Sequence, residues 1–275
     1  RPVMRGTVLL SVGVVLGAAL AAVQLLPTWE LSQLSVRAQG LPFNERVSFS
    51  LSPLYMGRAL LPAFGRAIAP EHLEHVAYVG ITGVALAVSG LLAGMGSRRE
   101  RTNLGDVHRA ANSLIILGLF FALGLYNPLY IVLARYVPGF AHFRVPARWL
   151  ALYGIGAAAL VGRGVEALWE RKGPDRWRIF VVVSSLALLM AWAVAAMWFG
   201  GRRLSGEGLD LVSIVGWASA ALGSAGLLCI APRGPRLATV GLLVLLTGEL
   251  FLATRALPQA RATAPQAFTS IRPAV

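Results

Sequence analysis

Residues 138–150 read Pro-Gly-Phe-Ala-His-Phe-Arg-Val-Pro-Ala-Arg-Trp-Leu and separate two long apolar segments. This short polar break holds Arg144, Arg148 and His142 at a place where a membrane chain would turn. A guanidinium carries a permanent charge and a rigid fork of donors, so an arginine pair at the edge of a bilayer is suited to binding a phosphate. The alternative is that both arginines only anchor helix ends among lipid headgroups.

The composition around this break is that of a membrane protein. Of the 275 residues, 56% are hydrophobic and 13% charged, and the mean hydropathy is +0.67. Soluble domains carry about 25% charged residues. The net charge of +13 lies in clusters between apolar runs, which favours contact with anionic lipids over binding to nucleic acid. The single cysteine, Cys229, excludes a disulfide framework within the chain.

Seven apolar segments are long enough to cross about 30 Å of hydrocarbon as helices. Their predicted bounds are 7–26, 76–95, 110–134, 149–168, 179–199, 211–230 and 237–253. Asn127-Pro128 is expected to break or kink the third, because proline lacks a donor and clashes with the preceding turn. The predicted fold is an all-α polytopic transmembrane helix bundle over residues 1–253, with an external loop, 27–75, that holds short interfacial helices.

The distribution of arginine and lysine predicts the orientation. The loops 97–109, 169–178 and 232–236 are the most basic and alternate with the others, so the positive-inside rule makes them cytoplasmic. The loop 27–75, the loop with Arg144 and Arg148, and the tail 254–275 are then external. Because the sequence begins at Arg1 and the tail has just become polar when it ends, we expect an internal piece of a longer protein.

Residues 71–75, Glu-His-Leu-Glu-His, place two imidazoles one turn apart. No third ligand stands at a recognised spacing, so a metal site is not predicted. An ordinary polar helix start before the second span is one interpretation. The other is a proton-handling or sugar-contacting role for Glu74 or His75. The sequence has no P-loop, Rossmann or HExxH motif, so soluble nucleotide chemistry is not expected.

Three further features each leave two interpretations open. Glu30 either orients a sugar hydroxyl or caps a short helix that begins after Pro27. Glu249 lies in the last span, and either reaches the interface or makes a polar contact inside the bundle. Residues 48–64, which include Arg58, are too short and interrupted to cross a bilayer. They either hold a polyisoprenoid lipid or serve as a simple surface anchor.

Four runs resemble the bacterial YfhO-type membrane proteins, a family similar to the GT-C membrane glycosyltransferases. They are residues 24–32, Gln-Leu-Leu-Pro-Thr-Trp-Glu-Leu-Ser; 74–80, Glu-His-Val-Ala-Tyr-Val-Gly; 138–149, described above; and 249–258, Glu-Leu-Phe-Leu-Ala-Thr-Arg-Ala-Leu-Pro. The most specific element is Phe-Arg-Val-Pro-Ala-Arg at residues 143–148.

The resemblance implies an enzyme of the bacterial plasma membrane that transfers a sugar from a polyprenyl-phosphate donor to a cell-envelope acceptor on the outer face. It implies phosphate or lipid contacts from Arg144, Arg148, His142 and Arg58, and sugar or acceptor contacts from Glu30, Glu74, His75 and Tyr78. Its catalytic carboxylate is expected upstream of Arg1. A non-catalytic transporter or scaffold for lipid-linked sugars is the alternative.

Overall fold

The computed structural model describes residues 2–34, 41–65, 68, 70–95, 103–137, 140, 143–170, 174–201 and 210–257. Regular structure in these ranges is helical throughout. The α-helices are α1 (Pro2–Leu34), α2 (Phe43–Arg46), α3 (Met56–Leu60), α4 (Ile81–Met95), α5 (Asn103–Ala122), α6 (Pro128–Tyr136), α7 (Leu150–Glu170), α8 (Arg176–Gly201), α9 (Leu211–Ile230) and α10 (Pro235–Thr254). The all-helical class expected from the sequence is therefore confirmed.

The chain divides into two compact units. Unit 1 contains Arg1–Ser48 and Val132–Arg144, and unit 2 contains Phe49–Ile131 and Val145–Val275. Within unit 1 the Arg46 guanidinium donates to the Ala134 carbonyl oxygen at 2.7 Å, which ties α2 to the end of α6. Each unit is described by itself.

Five helical stretches of the described chain are long and apolar enough to cross a membrane. They are Gly6–Leu34, Pro146–Trp169, Arg176–Ala196, Leu211–Ile230 and Pro235–Thr254. The first differs from the expected 7–26, because α1 continues through Pro27 to Leu34. A helix tolerates proline when the apolar run continues around it. No new helix begins after Pro27, so the capping interpretation of Glu30 is wrong.

The expected second and third spans also differ from the structure. Helix α4 begins only at Ile81, after Gly80 with a φ of +81°, and its 15 residues extend about 22 Å. The segment 110–134 is not one helix, because α5 ends at Ala122. The break lies at the expected place: the Asn127 side chain accepts the Leu129 N–H at 3.1 Å and starts α6, with Pro128 as its first residue. Proline fits there because the first helical N–H needs no partner.

Small residues bring the helices of unit 2 close together. A methyl group on Gly164 of α7 would meet the Leu86 carbonyl of α4, and a methyl group on Gly156 of α7 would meet the Ala111 carbonyl of α5. Helices α4 and α7 run in the same direction, and α5 and α10 run against them. The start of α4 therefore lies at the same end of unit 2 as the start of α7 and the end of α10. We call this the site end.

Candidate functional site

A carboxylate and a guanidinium meet at the site end. Arg148 donates from Nη2 to Glu74 Oε1 at 2.8 Å and from Nε to Glu74 Oε2 at 3.1 Å. This two-pronged geometry matches the flat fork of a guanidinium to both carboxylate oxygens. The Arg148 side chain is 60% exposed and that of Glu74 34% exposed. The pair is therefore accessible from outside unit 2.

Local structure sets the direction of both side chains. Glu74 belongs to a short 3-10 helix, Pro70–His75. Arg148 belongs to another, Pro146–Trp149, which leads directly into α7. Val145 before it has a φ of +62°, a left-handed conformation that is strained for a β-branched residue. This sharp turn directs the chain from the polar break into α7.

Beside the pair lies a cleft of about 480 Å³. The cleft is lined by residues 76–79, which include Tyr78, and by the first turns of α7 as far as Gly154. Most of its surface is apolar, and the lining residues with polar side chains are Glu74, Arg148 and Tyr78. A mostly apolar cleft with a few convergent polar groups is typical of a ligand site.

His75 lies next to the pair in an aromatic cluster. Its ring centroid is 6.2 Å from that of His72 and 6.3 Å from that of Phe49, and the His72 ring is 5.9 Å from Tyr55. Burial, followed by the charge of His72, lowers the pKa of His75 below its ordinary value of 6.5. The neutral imidazole is thus favoured in the folded protein. No group of three or more possible metal ligands occurs in the part of the chain that the structure describes.

Glu249 supports the site end from within the bundle. Its side chain is buried, with 4% of the residue exposed, and it accepts the backbone N–H groups of Ile81 and Thr82, the latter at 3.0 Å. These are among the unpaired donors at the start of α4. Of the two interpretations of Glu249, the structure shows the contact inside the bundle. The Thr82 hydroxyl continues this network to Ser224 at 3.1 Å.

The structure brings together three of the predicted site residues, Arg148, Glu74 and Tyr78, with His75 adjacent. Arg144 and Glu30 are exposed residues of unit 1. Arg58 lies in α3, but its side chain is outside the described part of the structure. The whole of His142 is outside the described part. The direct pairing of Glu74 with Arg148 was not predicted, since 74 positions separate them and no local pattern links them.

Comparison with protein-family models, with curated proteins and with solved structures gave no match.

Proposed function

We propose that this chain is part of a membrane glycosyltransferase that moves a sugar from a polyprenyl-phosphate donor to a cell-envelope acceptor on the outer face of a bacterial plasma membrane. In this proposal the site end faces outward, and α4 and the α5–α6 pair complete a bundle of about seven spans. The observation that carries the proposal is the exposed, two-pronged Glu74–Arg148 pair beside the cleft lined by Tyr78.

The Arg148 fork that holds a carboxylate has the shape that a phosphate also needs. An exposed ion pair contributes only about 0–1 kcal/mol, so a phosphate of higher charge can displace Glu74 at little cost. Arg148 also lies at the start of the 21-residue helix α7, where the helix dipole favours an anion. Arg144, also exposed, is the second phosphate-binding candidate.

The proposed reaction follows from this exchange. The acceptor hydroxyl oxygen forms a bond to the anomeric carbon of the sugar, while the bond from that carbon to the phosphate oxygen breaks. The bonding electron pair leaves with the phosphate, and Arg148 stabilises the growing negative charge. The hydroxyl proton passes to a carboxylate base, as the family resemblance implies. Glu74, released from Arg148, orients the acceptor by accepting a hydrogen bond from a neighbouring hydroxyl group of the acceptor.

Two substitutions test the exchange because they move donor binding in opposite directions. Arg148→Gln removes the charge, so binding of polyprenyl phosphate and sugar transfer should both fall. Glu74→Gln removes the competing carboxylate, so polyprenyl phosphate should bind up to about fivefold more tightly, the equivalent of about 1 kcal/mol. Transfer should nevertheless fall, because the amide oxygen of glutamine accepts the acceptor's hydrogen bond more weakly than a carboxylate does. Binding and transfer are measured on the protein in lipid nanodiscs.

A second ion pair offers a charge-matched control. Asp106 and Arg109 in α5 lie 3.8 Å apart, with 80% and 81% of their side chains exposed. Asp106→Asn and Arg109→Gln change the net charge as the site variants do, and should leave donor binding unchanged. If Arg148→Gln binds polyprenyl phosphate as the wild type does, the phosphate role of Arg148 is wrong.

A transporter of lipid-linked sugars is the second candidate, and the broken helix favours it. Transporters form substrate sites at discontinuous membrane helices, and α5 and α6 are separated by a 3-10 turn next to the buried Asn127. A fluorescent polyprenyl-phosphate sugar in reconstituted vesicles distinguishes the candidates. Movement between leaflets without sugar transfer, reduced by Asn127→Ala, would favour the transporter.

A further inference from the structure

A second cavity, of about 640 Å³, lies between α9 and α10 of unit 2. Its walls are mostly apolar and include Val215, Val244 and Leu252. Phe64 lies against Gly216, where a methyl group would collide with its ring, and closes part of one wall. Gly248 opens onto the cavity, because an added Cβ there would have nothing within 4 Å. The cavity has the volume of typical small-molecule sites, about 300–1,000 Å³.

The cavity follows the helices inward from one end. On α9 its lining runs from Val212 to Ala220, and on α10 from Leu252 back to Val244. At a rise of 1.5 Å per residue each wall is about 12 Å long. One leaflet of a bilayer contributes about 15 Å of hydrocarbon. The depth of the cavity therefore matches a single acyl chain of one leaflet, whereas most of a long polyisoprenoid would remain outside it.

A cation stands at the outer end of this cavity. Arg255 lines it and is exposed, with its guanidinium carbon 5.8 Å from the centroid of Phe251. In the described ranges, no carboxylate forms an ion pair with Arg255. Glu249 also lines the cavity, but its oxygens accept the amide N–H groups of Ile81 and Thr82. At the end of the cavity where Arg255 lies, the charge offered to a ligand is therefore positive.

We propose that this cavity binds one acyl chain of an anionic phospholipid from the surrounding bilayer, with the phosphate headgroup on Arg255. Both helices that form the cavity are long and apolar enough to cross a membrane, and insertion of both would place its apolar opening against lipid. An arginine beside an aromatic ring at a helix end is suited to a lipid phosphate. This inference is independent of the proposed sugar transfer.

The experiment fills the cavity and counts bound lipid. The full chain in detergent is mixed with dioleoyl-phosphatidylglycerol or dioleoyl-phosphatidylcholine. Native mass spectrometry then measures how much of each lipid the protein retains after the detergent is removed. The wild type should retain one phosphatidylglycerol in preference to phosphatidylcholine. Gly248→Leu places a side chain in the cavity and should lower retained phosphatidylglycerol about tenfold. Gly226→Leu is the matched control, because Gly226 of α9 also has open space around it but does not line the cavity.

The headgroup contact is tested separately with Arg255→Gln, which should abolish the preference for phosphatidylglycerol while Arg233→Gln leaves it intact. Thermal unfolding without added lipid verifies that each variant is folded. Three results would overturn the proposal: equal retention of both lipids by the wild type, full retention of phosphatidylglycerol by Gly248→Leu, or a preference for undecaprenyl phosphate, added as a third probe, that Gly248→Leu abolishes. The sugar-transfer measurements on Arg148 and Glu74 do not enter these readouts, so each proposal can fail alone.

Discussion

Replacement of Glu249 tests how the site end is held together. The carboxylate of α10 accepts two N–H groups at the start of α4, directly after the stretch 76–79 that lines the cleft. Glu249→Ala leaves the donors of Ile81 and Thr82 without an acceptor. Glu249→Gln keeps one carbonyl oxygen in place. The two variants therefore separate loss of one acceptor from loss of both.

The size of the effect follows from burial. A buried donor left unsatisfied costs about 1–3 kcal/mol, so Glu249→Ala should lower the free energy of unfolding by about 2–5 kcal/mol. Glu249→Gln should lower it by about 1–2 kcal/mol, since one of two contacts survives. At about 2–4 °C per kcal/mol for a chain of this size, Tm should fall by about 5–15 °C for the alanine variant.

Thermal unfolding of the detergent-solubilised protein, followed by tryptophan fluorescence, provides the measurement. Asp106→Asn is the control, because Asp106 pairs with Arg109 on α5 and its side chain is 80% exposed, so its loss should cost no more than about 1 kcal/mol. If Glu249→Ala unfolds within about 2 °C of Asp106→Asn, a span set by the same conversion, the buried contact does not stabilise the start of α4. The account of how α10 supports the cleft would then be wrong.

Two further outcomes are expected from the same assay. Gly164→Ala should destabilise the protein by about 1–3 kcal/mol, because the methyl group meets the Leu86 carbonyl and pushes α4 away from α7. Gly162→Ala is the control and should not destabilise the protein, because Gly162 lies in open space on the same helix. Equal Tm values for the two variants would contradict this packing. For His75, burial and His72 lower the pKa in the folded state, so the unfolded chain binds more protons below pH 6.5 and stability should decrease as the pH falls from 6.5 towards that lowered pKa. His75→Asn should remove this part of the pH dependence, and an unchanged profile would count against it.

The candidate site shows which residues a sequence can point to and which relationships it cannot. Arg148 was predicted from its place in a polar break, Glu74 from the cluster at residues 71–75, and Tyr78 from the family resemblance. Their meeting at one cleft depends on α4 and α7 running in the same direction. Helix α5 runs against both of them, and small residues such as Gly90 and Gly164 then permit the close approach of α4 and α7, although such residues do not name their partner in the sequence.

The ends of the helices were also predictable from the sequence only in part. The break before Pro128 was expected, because the loss of a donor and the clash of the ring are local properties. The continuation of α1 through Pro27 was not expected, since proline alone does not decide whether a helix ends. The late start of α4 depends on Glu249, more than 160 positions away, which caps Ile81 and Thr82 from another helix.

The sequence alone determined the all-helical class and the apolar helices long enough for a membrane, because hydropathy and helix length act within a single segment. It also marked Arg148 as a permanent charge at the edge of such a segment. Only the tertiary structure decided that Glu74 occupies the Arg148 fork, that Glu249 is buried against the start of α4, and that α9 and α10 enclose a cavity ending at Arg255. These relationships join residues far apart in the chain, and the packing of whole helices sets the distances between them.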